Sequence, residues 1–400
     1  MKDWTARMES LLGNVRKQFG GVARAIGSTL DNDPFEILAY RGYGNATRAH
    51  VYGRAVELRN VSATTDADST LRNLLNTYRR ADSDPLPFAT VKVEYANVST
   101  TMKADDEGFF SGWIELDKPI TGDDEWNDYK AELITPVHAE VHTVPAVGEI
   151  LVPPSSARFG VISDIDDTVI QSRVSNFLQA ARTVMLGNAR TRLPFPGVAA
   201  FYRALRKGAG GDEKNPIYYV SSSPWNIYDV IAEFMDVQKI PHGPLLLRDW
   251  DIGRGLLAAS RHLDHKSVAI RNIVQLHPTM EFILIGDTSQ HDPEIYRQIV
   301  AEFPDRIRAI YIRDVTLNAG RSLAVKKLAQ EILAAGSTLI LAENTLAAAR
   351  HAAAQGWIDS AALPEIGEEK RADEGRDASK VPAPDGGEPD SGKPPIVIGQ

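Results

Sequence analysis

The stretch FGVISDIDDT, residues 159–168, decides the fold. Its first half is a short apolar run, and its second half is dense in carboxylates. A short continuous apolar run is typical of a strand that is buried on both faces, as strands of parallel sheets are. Ligands of such sheets bind at the carboxyl ends of the strands, which is where these aspartates stand.

Five further apolar runs follow this stretch, with helical segments between them. In chain order they are IYYVS, GPLLL, FILIG, IRAIYIRDV and STLILA. Strands that alternate with helices indicate βαβ units, because parallel strands need a crossover connection. We therefore predict a doubly wound, parallel α/β domain over residues 153–363.

A β-rich domain is predicted ahead of it, over residues 31–152. The segments FEILAY, RAHVYGRAVEL, FATVKVEYANV, GFFSGWIEL and AELITPVHAEVHTV are rich in β-branched and aromatic residues, and turn residues separate them. We expect a helix at Ser69–Arg80 and a small β-sandwich overall. No catalytic constellation is visible in this region, so its role does not follow from its residues.

The two ends of the chain have different character. Residues 1–30 show apolar residues at helical spacing and a basic polar face, which predicts an amphipathic helix. Such a helix either packs on the neighbouring domain or lies on an anionic membrane, and packing is the commoner outcome. Residues 364–400 contain no aromatic residue and are rich in Gly, Pro and charged residues, so we expect a disordered tail.

Composition bounds the class of protein. The chain has 400 residues, of which 43% are apolar and 24% charged, as in soluble globular proteins. The absence of cysteine excludes disulfides, zinc–thiolate sites and a cysteine nucleophile. A net charge of −9 argues against general nucleic-acid binding. The first ten residues have no uninterrupted apolar core of the signal-peptide kind, so we expect a cytoplasmic location.

The chemistry is expected where DIDDT follows its strand. Carboxylates beside a buried strand are costly unless something neutralises them, and a hard cation such as magnesium (Mg2+) does so well. Asp164 and Asp166 stand two apart, so one can attack a substrate while the other handles protons. In the alternative interpretation, Asp167 or Thr168 caps a helix. A helix cap needs one such residue, so capping does not account for all three aspartates of DIDDT.

Polar residues also follow other predicted strands. Ser221 and Ser222 come after IYYV, where hydroxyls and backbone amides can hold phosphate oxygens. Asp287 follows FILIG, and Asp292 lies five residues on. Lys266 stands between these strand ends and can neutralise a phosphate. Taken singly, each has an ordinary structural alternative, namely a helix cap, a turn or a solvated lysine.

Together these elements resemble the haloacid dehalogenase (HAD) superfamily. Its four motifs occur in order, as DIDDT, a strand ending in serine, a lysine, and GDTSQHD. More narrowly, DIDDT, TRLPFPGV, SSSPWN and ILIGDTSQHDPEIY are similar to the actin-patch-associated phosphatidate phosphatase catalytic domain family. The resemblance covers residues 158–357, about half of the chain.

The resemblance implies in-line phosphoryl transfer with Asp164 as nucleophile and an aspartyl-phosphate intermediate. Asp166 would act as the acid and then the base, and its backbone carbonyl would help Asp164 and Asp287 to hold Mg2+. Asp292 would support the metal's water shell or orient Lys266. The candidate residues are Asp164, Asp166 and Lys266 for catalysis, Ser221, Ser222 and Lys266 for phosphate, and Asp164, Asp166, Asp287 and Asp292 for the metal.

Local charge favours an anionic substrate. Residues 169–211 contain no acidic residue, although the chain as a whole is acidic. The cations of this stretch are Arg173, Arg182, Arg190, Arg192, Arg203, Arg206 and Lys207. Residues 171–194 follow the nucleophile and mix arginines with apolar residues, so a small cap there would suit a phospholipid. The alternative is a core-packed helix with a solvated basic edge.

We therefore expect a Mg2+-dependent phosphatase of a lipid phosphate such as phosphatidate. A phosphatase of a soluble metabolite or a nucleic-acid end stays open, because the fold does not supply the substrate. A catalytically silent, membrane-binding scaffold is the alternative from another class. The expected partners are a phosphorylated small-molecule or lipid substrate and, peripherally, an anionic membrane, with no nucleic acid. Oligomeric state does not follow from the sequence.

Overall fold

The computed structural model describes most of the chain in several ranges. These are residues 35–57, 84–136, 145–166, 168–169, 195–248, 258–288, 291–314, 319–334, 336–378 and 396–398. The helices predicted at 1–30 and 69–80 and the cap segment 171–194 lie outside them. Residues 35–400 form one compact unit, in which the two sheets described below pack together.

The first sheet is built mainly from antiparallel strands. They are β1 (Phe35–Gly44), β2 (Arg48–Glu57), β3 (Asp84–Pro85), β4 (Thr90–Tyr95), β5 (Val98–Lys103), β6 (Phe109–Glu115), β7 (Trp126–Thr135) and β8 (Ala146–Leu151). Their order is β3-β2-β1-β8-β7-β4-β5, with β6 also paired to β2 and with β1 and β8 parallel. All five segments predicted from composition contribute strands. The strands connect as one sheet, so the expected two-sheet sandwich is not confirmed.

The second sheet is parallel except for one edge strand. Its strands are β9 (Gly160–Ser163), β10 (Ile217–Pro224), β11 (Leu245–Arg248), β12 (Phe282–Asp287), β13 (Ile307–Arg313), β14 (Leu339–Ala342) and β15 (Ile396–Ile398). The order is β11-β10-β9-β12-β13-β14-β15, and β15 pairs antiparallel with β14. The predicted α/β alternation with a parallel sheet is confirmed.

Helices cover both faces of this second sheet. They are α1 (Val198–Lys207), α2 (Tyr228–Val237), α3 (Ala258–Leu276), α4 (Asp292–Glu302), α5 (Ala319–Ala334), α6 (Thr345–Ala354) and α7 (Leu363–Ala378), with 3₁₀ turns at Trp225–Ile227 and Ser360–Ala362. One apolar cluster joins α1, α2 and α6 to the sheet, and another joins α3, α4 and α5. Among the described helices, none has the length and apolar character needed to cross a bilayer.

The central strand β9 is the point where the strand order changes direction. The chain passes from β9 to β10 and β11 on one side and then returns to β12 on the other side. A crevice opens at such a point, because the connections on its two sides leave in opposite directions. The sheet topology therefore places the carboxyl end of β9, and Asp164 with it, at the expected binding position.

The two sheets share apolar clusters across the predicted boundary near residue 152. Tyr40 of β1 stacks on Trp225 and Tyr228, with ring centroids 5.5 and 4.0 Å apart. Tyr43 of β1 meets Tyr218 of β10 edge to face at 6.0 Å. Aromatic pairs at such distances add to the stability gained by burial. The two-domain division stays a prediction, but the described residues on its two sides form a common core.

The prediction of a disordered tail is wrong for part of residues 364–400. Helix α7 occupies residues 363–378, and residues 396–398 form β15. Composition misled the prediction because α7 is rich in Glu, Lys, Arg and Ala, which favour helix, and needs little apolar surface to dock. Ile366 is fully buried, and Asp373 is almost so. Residues 379–395 and 399–400 lie outside the described part.

Helix α7 docks on α1 through two of its own carboxylates, which accept hydrogen bonds from the first turn of α1. The backbone N–H of Gly197 donates to Asp373 Oδ2 at 2.9 Å, and that of Ala200 donates to Glu369 Oε1 at 2.9 Å. The first turn of a helix has free N–H groups and a positive dipole end, so carboxylates are stabilising there. Helix α7 therefore holds the start of α1, which is the first helix after residues 171–194.

Candidate active site

Asp164 stands at the carboxyl end of the central strand β9, and its backbone is firmly held. Its N–H donates to the Ile285 carbonyl at 2.9 Å, and its own carbonyl accepts from Ser163 Oγ at 2.7 Å. The Ser163 hydroxyl also lies 2.6 Å from the Tyr202 hydroxyl of α1. Asp164 is only 1% exposed. The fold therefore presents this side chain in a fixed, nearly dry position.

Two more carboxylates meet Asp164 from the end of β12 and the start of α4. Oxygen atoms of Asp164, Asp287 and Asp292 all lie within 4.8 Å of one another, and all three residues are buried. The backbone N–H of Asp287 donates to Asp292 Oδ2 at 3.3 Å. Gly286 permits this approach, because a Cβ there would lie 2.6 Å from that oxygen. The structure thus gathers three of the four aspartates predicted for the metal.

Lys266 reaches the same point from helix α3. Its Nζ lies 2.8 Å from Asp164 Oδ1 and 2.8 Å from Asp292 Oδ1, and its side chain is buried. Burial lowers the pKa of Lys266, but Asp164 and Asp292 outweigh burial and raise that pKa above its usual value. Lys266 is therefore an ammonium between two carboxylates, so Asp292 orients it.

The charges of this cluster do not balance. Burial raises the pKa of Asp164 well above its ordinary value; Lys266 opposes that shift, and the neighbouring aspartates add to it. One ammonium faces three buried carboxyl groups, so the positive charge within the cluster is less than the negative charge that it could carry. Mg2+ takes oxygen ligands, usually one or two carboxylates together with water and substrate phosphate, and this cluster offers such carboxylates. The donor set therefore fits a hard divalent cation.

The carboxylate of Asp166 points to strand β10 instead. Ser221 Oγ donates to its Oδ2 at 2.7 Å, and Ser223 Oγ donates to the same oxygen at 3.0 Å. The N–H of Ser223 also donates to Ser221 Oγ at 2.9 Å. Asp166 is thus separated from the three-carboxylate cluster and held by hydroxyl donors.

Ser223, which the sequence analysis did not name, contacts Asp166 together with Ser221, and the phosphate role of Ser222 stays a prediction. The hydrogen bonds that Asp166 receives from β10 come from Ser221 and Ser223, as the alternation of side chains along a strand would suggest. The predicted phosphate residue Ser222 is therefore not brought to Asp166. The period of two within IYYVSSS was the signal that could have identified Ser223.

Arg313 is a second cation at this edge of the sheet, half-buried, which the sequence analysis did not single out. It ends β13 and pairs in register with Asp287 of β12. Its Nη2 donates to Thr345 Oγ1 at 2.7 Å, and its guanidinium lies 4.1 Å from the ring centroid of Phe195. Burial lowers the pKa of Arg313 to about 10, so it stays charged at neutral pH. Because Arg313 directly follows the apolar run IRAIYI, its position at the carboxyl end of a predicted strand could have identified it.

Two arginines of the basic stretch have structural partners. Arg203 of α1 donates to Glu369 at 2.6 Å and to Glu365 at 3.0 Å, both on α7. Arg206 forms a two-bond pair with Glu125. These cations therefore hold α1 to its neighbours. The arginines of residues 171–194 lie outside the described residues, so the cap stays a prediction.

The fold and the cluster together define a class of protein. A parallel α/β sheet presents buried carboxylates and one lysine at its switch point, as expected for binding a hard cation and an anionic group. Residues 159–314 match the family described as "Phosphatidate phosphatase APP1, catalytic domain". This segment contains every candidate site residue. The resemblance inferred from the motifs is therefore confirmed over residues 159–314.

Two curated relatives match about the same region. Phosphatidate phosphatase APP1 of Saccharomyces cerevisiae is 31% identical over 155 residues, which are 38% of this chain and 25% of the relative. An uncharacterized protein of Schizosaccharomyces pombe is 31% identical over 163 residues, or 39% and 25%. The match thus spans about a quarter of each relative's length.

Similarity to solved structures is weak. A carbohydrate acetylesterase from Xanthomonas citri, XAC1771, aligns over 67% of this chain and 65% of its own at 12% identity and a TM-score of 0.23. A similarity of that size carries no argument about fold or function.

Proposed function

We propose that this chain is a Mg2+-dependent phosphatase of the HAD type that hydrolyses a phosphatidate-like lipid phosphate. The observation that carries the proposal is the convergence of Lys266 with Asp164, Asp287 and Asp292 at the switch point of the sheet. It occurs inside the segment that is 31% identical to a phosphatidate phosphatase. Similarity and geometry thus support the same set of residues.

Asp164 is the proposed nucleophile. Its carboxylate oxygen attacks phosphorus in line, the bond from phosphorus to the leaving alkoxide breaks, and an aspartyl-phosphate forms. Asp166 donates its proton to the leaving oxygen, giving an alcohol. It then takes a proton from water as that water attacks the aspartyl-phosphate, which releases inorganic phosphate and restores Asp164.

The surrounding residues support these two steps by position and charge. Ser221 and Ser223 hold the Asp166 carboxyl group by hydrogen bonds and fix its direction. Lys266 stabilises charge that develops on the phosphoryl oxygens, since a preorganised cation in a dry site acts strongly on it. Phosphoryl transfer depends mostly on such positioning and charge stabilisation.

The metal is proposed to bind Asp164, Asp287 and the backbone carbonyl of Asp166, with Asp292 supporting its surroundings. When bound, Mg2+ would neutralise phosphoryl charge and help to align the substrate. Burial holds the pKa of Asp164 high, which favours the protonated, non-nucleophilic form. Positive charge beside Asp164 favours the carboxylate that must attack. Lys266 supplies one such charge.

A panel of phosphate esters tests the proposal. We expect the purified protein to hydrolyse phosphatidate in vesicles and p-nitrophenyl phosphate, both only with Mg2+. Turnover of nucleic-acid ends or soluble metabolites alone would replace the lipid assignment. No turnover of any ester would favour a silent scaffold and overturn the proposal.

Peripheral contact with an anionic membrane is proposed through the basic segment 171–194. In anionic vesicles, Arg182→Glu with Arg190→Glu should weaken binding well over tenfold, because each basic residue at the surface contributes about 1 kcal/mol. The exposed pair Lys327→Glu with Arg350→Glu changes net charge equally and serves as the control. Equal effects of the two pairs would contradict a specific contact of this segment.

A further inference from the structure

The main chain of Asp164 is hydrogen-bonded on both sides, although the residue lies beyond its strand. Strand β9 ends at Ser163, so Asp164 is the first residue after it. The Asp164 N–H donates to the Ile285 carbonyl of β12 at 2.9 Å. The Asp164 carbonyl accepts from a side chain, the Ser163 hydroxyl, at 2.7 Å. What holds these two partners in place therefore also holds the proposed nucleophile.

A chain of hydroxyl groups leads from helix α1 to the Asp164 carbonyl. Ser163 Oγ lies 2.6 Å from the Tyr202 hydroxyl, and each of these hydroxyls has one proton to donate. A carbonyl can only accept, so the Ser163 proton goes to Asp164 and Tyr202 must donate to Ser163. Burial raises the pKa of Tyr202, which keeps its proton in place at neutral pH. Tyr202 therefore fixes the hydroxyl that binds the Asp164 carbonyl.

A second tyrosine acts on the N–H side of Asp164, from helix α4. The Tyr296 hydroxyl donates to the Ile285 carbonyl at 2.8 Å, and the same carbonyl accepts the Asp164 N–H. Tyr296 stands four residues after Asp292, so the two lie on one face of α4. Burial raises the pKa of Tyr296 well above its ordinary value, so its hydroxyl also remains a donor.

The two tyrosines approach from opposite faces of the second sheet. Tyr202 belongs to the apolar cluster of α1 and Tyr296 to the apolar cluster of α4, and each is 1% exposed. Tyr202 also stacks on Tyr219, with ring centroids 6.3 Å apart. Close packing leaves such rings little freedom, so their hydroxyls keep one direction. A phenylalanine would bury the same ring without a polar group, so packing does not account for either hydroxyl.

We propose that Tyr202 and Tyr296 are positioning residues, which hold the main chain of Asp164 from both faces of the sheet and so direct its carboxylate at phosphorus. The inference rests on the proposed phosphatase function and on Asp164 as its nucleophile. Each tyrosine acts through one intervening group, the Ser163 hydroxyl or the Ile285 carbonyl. In-line attack needs the reacting oxygen in a defined place, and a displacement of about 1 Å can cost about a hundredfold in rate.

Tyrosine-to-phenylalanine substitutions test this role, because they remove only the hydroxyl. With p-nitrophenyl phosphate and Mg2+, we expect Tyr202→Phe and Tyr296→Phe each to lower kcat about tenfold or more and to change KM less than about twofold. Tyr129→Phe is the matched control, because the buried Tyr129 hydroxyl donates to the Tyr40 carbonyl of the first sheet at 2.7 Å. The three variants should lose similar amounts of stability to urea, since each loses one buried hydroxyl donor. Only the control should keep the wild-type kcat.

A double-mutant cycle tests the chain from Tyr202 to Asp164. Ser163→Ala removes its middle link, so it should lower kcat as much as Tyr202→Phe does. Adding Tyr202→Phe to Ser163→Ala should then cost no more activity. Tyr296→Phe should keep its full cost in the same background, because it acts through Ile285. Ser163→Ala also tests the chain should Tyr202→Phe not fold.

Amide hydrogen exchange provides a measurement that needs neither metal nor turnover. In EDTA, the segment 159–168 should exchange faster in Tyr202→Phe and Tyr296→Phe than in the wild type, because weaker anchoring permits local opening. In Tyr129→Phe this segment should exchange at the wild-type rate. Mass spectrometry of the peptides that cover the segment measures the difference.

The outcomes separate this inference from the proposed function. Faster exchange in both variants, with no ester hydrolysed by the wild type, would support the anchoring of Asp164 and overturn the phosphatase. Hydrolysis by the wild type with unchanged kcat in both variants would leave the phosphatase intact and overturn the positioning role. A kcat that falls equally in Tyr129→Phe, or losses that multiply when Ser163→Ala and Tyr202→Phe are combined, would also overturn it.

Discussion

The two sheets of this protein treat buried charge in opposite ways. In the first sheet, Arg54 is the charged residue that is buried among the described positions, and it lies over the ring of Phe109 while donating to the Glu107 carbonyl. In the second sheet, Asp164, Asp287 and Asp292 are buried together around Lys266. One sheet satisfies its charge locally, whereas the other concentrates like charges.

The difference points to the second sheet as the place of the proposed chemistry. Buried like charges reduce stability, and proteins keep such clusters where function requires them. The apolar clusters on both faces of the second sheet offset that cost. The first sheet, in contrast, packs aromatic residues such as Tyr40 and Tyr43 against the second sheet. The proposed chemistry therefore belongs to the second sheet.

The comparison is tested most strongly at Asp164. Asp164→Asn should lower kcat by several orders of magnitude, because a covalent nucleophile is lost. Without metal the variant should also melt at a higher temperature. Burial raises the folded-state pKa of Asp164, so the stability it contributes is lost as pH rises toward and through that pKa. Asparagine is uncharged, like the protonated carboxyl group of Asp164, so the substitution removes the free-energy cost of burying a carboxylate.

Kinetic assays and thermal melts at neutral pH with EDTA check both parts of this prediction. Asp305→Asn, at an exposed turn before β13, is a matched control that should change neither property. Wild-type turnover in Asp164→Asn would remove the nucleophile assignment, and a lower melting temperature would contradict the account of charge imbalance.

Metal removal should produce the next largest effect. We expect EDTA to abolish turnover and calcium to inhibit, since calcium accepts more ligands in looser geometry than Mg2+. At 100 times its Kd, Mg2+ should stabilise the folded protein by about 2.7 kcal/mol. The shift in melting temperature should be smaller in Asp287→Asn, which loses a proposed ligand. Full activity in EDTA would rule out the metal site.

Truncation after Ala362 should produce a smaller, purely structural effect. The shortened chain lacks α7 and the edge strand β15, so buried Ile366, the carboxylates that bind the start of α1 and the pairing of β15 with β14 are lost. We expect a loss of about 3 kcal/mol or more in unfolding free energy, from one buried aliphatic side chain and two hydrogen bonds. Urea unfolding measures it, and an unchanged midpoint would show that α7 does not support α1.

A single substitution tests the contact of Asp373 with the start of α1 apart from the other contacts of α7. Asp373→Ala should cost about 1–2 kcal/mol, because the Gly197 N–H then loses its acceptor. Glu368→Ala, at an exposed position of the same helix, controls for the change in helix propensity. Equal destabilisation by the two would mean that Asp373 acts only through the helix itself.

The sequence by itself determined the six parallel strands of the second sheet and the strand ends where the proposed chemistry lies, but not the antiparallel edge strand β15. Each apolar run between FGVIS and STLILA forms a strand of the second sheet. Strand formation depends on local patterns of apolar residues, and polar residues after such runs are legible without a structure. For the same reason Asp164 and Asp287 could be named in advance, whereas Lys266 was named through the order of the motifs.

Only the tertiary structure decided which side chains meet. It brought Lys266 between Asp164 and Asp292, placed Arg313 next to Asp287 in the sheet, and ordered α7 against α1. Each outcome depends on contacts between elements far apart in the chain. The free energy of such contacts comes from complementary surfaces and paired charges, which composition and local periodicity do not encode.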